Sequence, residues 1–188
     1  TRMNQADNTV STDVRVWRVE RATLLDRAWI VALRCAYRLM RGYWFIARPR
    51  TYGAYVAIWW DERLLLIRNS YKREQTFPAG GAKRQENLRE TARREVREEI
   101  GIELADDQLQ SAGMFLSLAE HKFDYCEVFE VRLDKCPDIR IDGREVVEAE
   151  FVAVNLLLTR KLTRIVQLYL QERYRGEVDD QGFAENAN

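Results

Sequence analysis

Gly80-Gly81-Ala82-Lys83-Arg84-Gln85-Glu86-Asn87-Leu88-Arg89-Glu90-Thr91-Ala92-Arg93-Arg94-Glu95-Val96-Arg97-Glu98-Glu99-Ile100-Gly101-Ile102 is the stretch that decides how this chain is read. A glycine turn opens it, a run of helical spacing follows, and a second glycine stops the run. Leu88, Ala92, Val96 and Ile100 recur at i,i+4 and form a stripe for burial. Glu95, Glu98 and Glu99 project together from a neighbouring face. That cluster works against its own helix. Like charges at i,i+4 cost a few tenths of a kcal/mol, and carboxylates in the last turns oppose the helix dipole. Either a hard cation compensates them, as Mg²⁺ does when it takes oxygen ligands and shares them with phosphate, or they form a solvated face with Arg93, Arg94 and Arg97 as counter-ions.

The spacing of the whole stretch favours the cation. Gly80, five residues, Glu86, seven residues, Arg94-Glu95-Val96, one residue, Glu98-Glu99, one residue and Gly101-Ile102 resembles the Nudix box of the MutT/Nudix hydrolases at every specified position. Seven fixed identities at about 6–7% each make a chance match far rarer than about one in a million. The resemblance implies an α+β fold: a Nudix α/β/α sandwich with a mixed β-sheet, here preceded by an N-terminal amphipathic helix. It implies hydrolysis of a diphosphate linkage in a small-molecule nucleoside diphosphate derivative, with Mg²⁺ or Mn²⁺ as cofactor. It makes Arg94 the residue that pairs with the carboxylates and orients them, and Glu86 the residue that holds the loop–helix join.

Physical chemistry asks the same of such a site. Splitting a P–O–P bond with water needs a neutralised polyanion and a positioned water, which divalent ions supply. Glu95 and Glu99, one turn apart, can grip one ion, and Glu98 can complete the site or bridge to a second. The Gly80 carbonyl is a candidate further ligand, and Gly101 is the expected helix stop. The general base is either a box glutamate, Glu98, or an acid from a later loop. Glu145, six residues before Phe151, has the spacing of the later catalytic acid of MutT-like members. Glu120 and His121 are weaker candidates, and all of these side chains have the alternative of being plain surface charge. Arg68, Lys72 and Arg73 can reach phosphates or simply end a hairpin. Tyr52, Trp59, Trp60 and Phe77 either stack on a base or build the core.

Departures from the family pattern leave the substrate open. Gln85 stands where a glycine is usual, and Met114 to Leu118 has neither the proline of ADP-ribose-directed members nor the tyrosine of diadenosine-polyphosphate members. Two rivals remain: a non-catalytic Nudix-fold binding module, and the isoprenoid diphosphate isomerase branch. The second needs a catalytic cysteine in a particular loop, and Cys35, Cys126 and Cys136 show no such placement.

The chain has 188 residues, 46% hydrophobic and 32% charged, enough for one domain with a real core. Net charge is zero, so no global field draws in nucleic acid, and no DNA partner is indicated. Unpaired cysteines and the lack of an 18-residue apolar run read as a cytoplasmic protein. Residues 1–22 are expected to be disordered, 23–50 to form a basic amphipathic helix and linker, 51–175 the Nudix domain, and 176–188 an acidic tail. The helix, expected from Thr23 to Arg41, carries Arg27, Arg34, Arg38 and Arg41 on one stripe beside a wide apolar, aromatic face. It packs on its own domain, forms a homodimer, or makes peripheral contact with an anionic membrane. Strands are expected over Tyr52–Trp60, Arg63–Asn69, Gln110–Ala119, Phe123–Leu133 and Glu150–Val154, and helices over Asn87–Ile100 and Leu157–Tyr174.

Overall fold

The computed structural model describes residues 15–19 and 23–175. Strand β2 (Arg50–Trp60) is the spine of the sheet. Its aromatic and β-branched residues suit a surface packed on both sides. It runs parallel to β6 (Phe123–Leu133) in unbroken register, from Arg50 opposite Phe123 to Trp60 opposite Leu133. On its other edge it meets β3 (Arg63–Asn69) by a hairpin and β4 (Ala79–Gly81) nearer its start. Antiparallel β5 (Gln110–Ser117) flanks β6, while β7 (Val146–Ala153) flanks β3 and carries β1 (Val16–Arg18) beyond it. The sheet order is β1-β7-β3-β2-β6-β5, with β4 branching from β2.

Side chains alternate between the faces of a strand, so β2 feeds two cores at once. Val56 and Ile58 join Leu65, Ile67, Phe129 and Phe151 beneath helix α2 (Leu88–Ile100), which contributes Ala92, Val96 and Ile100. Ala57 and Trp59 join Leu64, Leu66, Phe77 and Val152 on the opposite face. There α3 (Val154–Leu157) and α4 (Arg164–Arg173) supply Leu157, Ile165, Val166 and Tyr169. The mixed sheet between two helical layers is the sandwich expected from the sequence.

Several elements differ from expectation. The final helix is broken where Gln75 takes backbone bonds of Lys161 and Thr163. Its N–H donates to the Lys161 carbonyl at 2.7 Å, and its carbonyl accepts from Thr163 at 2.9 Å. Strand β7 starts at Val146 rather than Glu150, with Glu148 and Glu150 buried inside it. Arginines make this tolerable: Arg68 and Arg18 meet Glu148, and Arg160 meets Glu150. The disorder expected over 1–22 gives way at 16–18 to a strand paired with β7, and the rest of that expectation, with that for 176–188, falls outside the described residues.

Helix α1 (Leu24–Ala47) is longer than expected and buries none of its residues. Thr23 and Asp26 cap it reciprocally. It rests on the segment that follows β3 through Arg34, whose Nε donates to the Ser70 carbonyl at 2.9 Å, and Tyr37, whose ring lies 4.9 Å from that of Tyr71.

The β2–β3 turn stores strain. Asp61 and Glu62 both sit in the left-handed region, at φ 48° and 51°. A two-residue hairpin turn with both central φ positive favours Asn-Gly, and Glu62 meets Arg132 only at 4.0 Å in solvent. Glu62→Gly is therefore expected to stabilise the fold by about 1 kcal/mol, a rise in Tm of about 2–4 °C. Thermal unfolding followed by circular dichroism checks it, and a lower Tm would mean the glutamate side chain supports the turn.

Candidate active site

Helix α2 is fixed at both ends, which sets the positions of its acids. Asn87 Oδ1 accepts from the Glu90 N–H at 2.8 Å while Glu90 Oε2 accepts from the Asn87 N–H at 3.0 Å. Gly101 ends the helix at φ 73°, and a Cβ there would also meet the Arg140 Cβ at 3.1 Å. Between them the burial stripe turns Glu95 and Glu99 towards β4.

Arg94 ties the helix to the loop before it. Its Nε and Nη2 donate to the two oxygens of Glu86 at 2.8 and 2.9 Å, and Nη2 also reaches the Gly81 carbonyl at 3.2 Å. Nη1 serves Glu95 and, at 3.2 Å, Glu98. Glu86 in turn accepts from the Lys83 N–H and the Thr91 hydroxyl, both at 3.0 Å. The Arg94 hydrogen bonds hold the Glu86 carboxyl down to about 2 and raise the guanidinium's own pKa. Gln85 takes φ 73° in this loop, the physical reason why a glycine is usual there.

The acids face a backbone that makes room for them. A Cβ on Gly80 would lie 2.0 Å from Glu95 Oε1, so the carboxylate rests directly on the bare Cα. Glu99 is 5% exposed and accepts from the Ala79 N–H at 2.9 Å. Burial pushes its pKa well above the usual carboxylate range, and the charges of Glu95 and Glu145 push the same way. Glu95 is raised for the same reasons, burial first, with Arg94 opposing. The charge of Glu145, which arrives from the loop before β7, thus acts on both Glu95 and Glu99. Asp142 shapes that loop by accepting from the N–H groups of Glu145 and Val146 at 3.0 and 2.8 Å. Tyr71 donates its hydroxyl to Glu145 Oε1 at 3.0 Å.

Other expected site residues lie elsewhere. The Pro78 carbonyl and Ala82 N–H pair with β2, at Val56 and Tyr52, and the ladder's two-residue period turns the polar groups of Gly80 the same way. Gly80 thus serves by lacking a side chain, and Ala79 presents its polar groups to α2. Glu98 is half exposed, between Arg94 and Lys83. Phe77 is fully buried against Tyr169, so a contact with substrate is ruled out for it. Arg68 points away from α2, opposite in alternation to Ile67, and is bound to Glu148 at 2.8 Å. Trp59 and Trp60 pack in the cores, and Tyr52 alone of the four aromatics is well exposed, stacked on Tyr125 with centroids 5.2 Å apart. Glu120 is occupied by Lys72 at 2.8 Å and by the Tyr37 hydroxyl. Burial raises its pKa, but these partners outweigh burial and leave it lowered. The sequence reading missed Ala79, Tyr71 and Asp142. Ala79 acts through its backbone, which no residue pattern reveals.

Among the described residues no three His, Cys, Asp or Glu side chains form a closed ligand set, since Arg94 engages Glu95 and Glu98. The donor set nevertheless fits a hard cation. It is all oxygen, partly buried, and its acids disfavour one another's ionisation until positive charge is added.

The NUDIX domain family model matches residues 49–171, more than half of the chain, and the chain belongs to that family. It is similar in structure to a MutT protein from Methanosarcina mazei Go1, at 24% identity and TM-score 0.60 over 70% of this chain and 97% of that one. A Caenorhabditis elegans Ap4A hydrolase is similar at 17% identity and TM-score 0.57, over 69% and 98%. The NUDIX domain of Shewanella oneidensis NrtR, solved with ADP ribose, is similar at 15% identity and TM-score 0.58, over 67% and 88%. At these identities the likeness establishes the fold. No functionally curated protein matches the chain in sequence.

The Arg94–Glu86 pair gives a test in pH. A carboxyl whose folded pKa is depressed adds stability above its unfolded value, lost as pH falls through the folded value. Glu86→Gln is therefore expected to be less stable than wild type at neutral pH, with the gap closing between pH about 4.5 and about 2. Urea titrations across that range measure it. A gap that stays constant with pH would show that the ion pair adds nothing.

Proposed function

We propose that this chain is a divalent-metal-dependent Nudix hydrolase that splits the diphosphate linkage of a nucleoside diphosphate derivative. The observation that carries the reading is the Glu95 carboxylate resting on the bare Cα of Gly80 beside buried Glu99. Two carboxylates brought together against burial and mutual repulsion are costly without a cation. Glu95 and Glu99 would hold the ion, helped by the Ala79 carbonyl, with Glu98 swinging in from the rim. Bound Mg²⁺ or Mn²⁺ would supply Lewis-acid polarisation of the phosphate oxygens and lower the pKa of attacking water.

The chain's own groups do the rest. Arg94 keeps Glu95 and Glu98 oriented from beneath, fixed in turn by Glu86. Glu145 enters from the opposite side, steadied by Tyr71 and by a loop built on Asp142. Glu145 would take the proton of the attacking water, because its carboxylate is exposed and, among the described residues, no arginine or lysine engages it. Tyr52 and Tyr125 offer a planar surface to a base. Tyr52 stands two residues from Ala54, which faces Gly80, or about 7 Å along the strand from the acids. A base there and a diphosphate at Glu95 and Glu99 fit the extent of one nucleotide. Relatives solved with ADP ribose, or with AMP and manganese, support this substrate class.

The test is release of nucleotide from a panel of nucleotide sugars, dinucleotides and nucleoside triphosphates, with Mg²⁺ or with EDTA. Wild type is expected to turn over at least one of them, and EDTA to abolish it. Glu99→Gln is expected to lose about 10²-fold or more in kcat/KM. Glu145→Gln is expected to lose about 10²–10⁴-fold in kcat. Nucleotide binding without turnover, unchanged in Glu99→Gln, would make the protein a binding module instead. Tyr52→Ala is expected to raise KM about tenfold with little change in kcat. An unchanged KM would move the base elsewhere.

A further inference from the structure

Helix α1 lies outside the family domain and has no role in the proposed chemistry. It is 24 residues long, buries none of them, and touches the domain along one side only. That side is defined by Arg34 on Ser70, by Tyr37 on Tyr71, and by Asp26 on Arg144 at 3.0 Å. Placed at 100° per residue, the half of the helix facing away contains no charged residue. Leu25, Leu39, Tyr43 and Ile46 stand there, 78%, 76%, 58% and 84% exposed, with Trp29 beside them at 54%. Such an uncovered apolar face the length of a helix needs an occupant.

The charge beside it identifies the occupant. Arg27, Arg34, Arg38 and Arg41 lie along one edge of the apolar half, and Arg48 and Arg50 follow the helix. Residues 24–50 thus hold six arginines and one acid in a chain of zero net charge. The one acid, Asp26, is already paired with Arg144. No helix among the described residues is long and apolar enough to cross a membrane. A partly charged helix with an apolar half, an arginine edge and aromatic residues suits the plane of a bilayer, its apolar side among acyl chains and its arginines at lipid phosphates. A second copy of the chain would bring an arginine edge of the same sign. We infer that α1 is a peripheral membrane anchor that binds the surface of bilayers containing anionic phospholipid. The domain sits on the opposite side of the helix, so docking leaves the domain in water. It also leaves the acid cluster free, because the contacts of α1 with the domain run through residues such as Ser70, Tyr71, Glu120, His121 and Arg144, none of them an acid of that cluster.

The full chain is mixed with vesicles of phosphatidylcholine alone, or of phosphatidylcholine with phosphatidylserine, and floated. Binding to the anionic vesicles is expected, at least about tenfold stronger than to neutral ones and weakened by salt. Leu39→Glu/Ile46→Glu is expected to abolish it, since a charge on the face opposes insertion. Arg27→Glu/Arg38→Glu is expected to reduce it about tenfold or more. Neither changes a residue of the acid cluster, so far-UV circular dichroism and turnover in vesicle-free buffer are expected to match wild type. Failure to float, or flotation that both variants retain, would overturn the inference. A dimer in sedimentation equilibrium that Leu39→Glu/Ile46→Glu converts to monomer, without flotation, would overturn it in favour of a second copy. Flotation and sedimentation do not depend on hydrolysis, so the anchor and the enzyme stand or fall separately.

Discussion

The guanidinium of Arg94 is the constraint on which the site depends. Three carboxylates and a backbone carbonyl share its five N–H donors, and they come from three pieces of chain: the loop at Glu86, the strand at Gly81, and the helix at Glu95 and Glu98. A planar fork with fixed donor directions can hold such a set in one geometry, where a lysine could not. Glu86 and Glu95 are thereby kept from turning away into water. The helix can therefore carry acids in its last turns, where dipole and mutual repulsion both oppose them.

Burial then separates the acids into kinds. Glu86 is held ionised by Arg94, Glu99 is driven towards the neutral form by its buried setting, and Glu95 lies between, pulled both ways. The same tension explains the glycine at Gly80. Any side chain there would displace Glu95, and the strand's contribution is the absence of a Cβ rather than a group of its own. Tertiary folding adds the charge of Glu145 from the loop before β7, which Asp142 organises.

Sequence reasoning did well wherever a pattern repeats or a spacing is fixed. The burial stripe of α2, the stop at Gly101 and the register-long strands β2 and β6 were all legible. Glu145 was picked out by its distance from Phe151, and its charge acts on Glu99 in the folded chain. Reasoning from residue type alone did worse. Phe77 reads as a candidate for stacking but fills the core against Tyr169, and Arg68 reads as a phosphate ligand but neutralises Glu148. Both side chains have two natural uses, and the choice between them depends on which way the strand or loop faces. Strand β7 was half hidden for a related reason: its two buried glutamates look like solvated charge until their arginine partners are in place.

By itself, then, the amino-acid order determined the helix that bears the acids, their spacing on it, the arginine between them and the layered α+β architecture, because these follow from local periodicity and from chemistry carried within one stretch. Tertiary structure alone decided which backbone meets those acids, which loop brings a further carboxylate, which aromatic stays exposed, and that α1 keeps an entire face uncovered. Each of these is a relation between segments distant in the chain. Packing of the whole sheet settles them, and no local pattern encodes it.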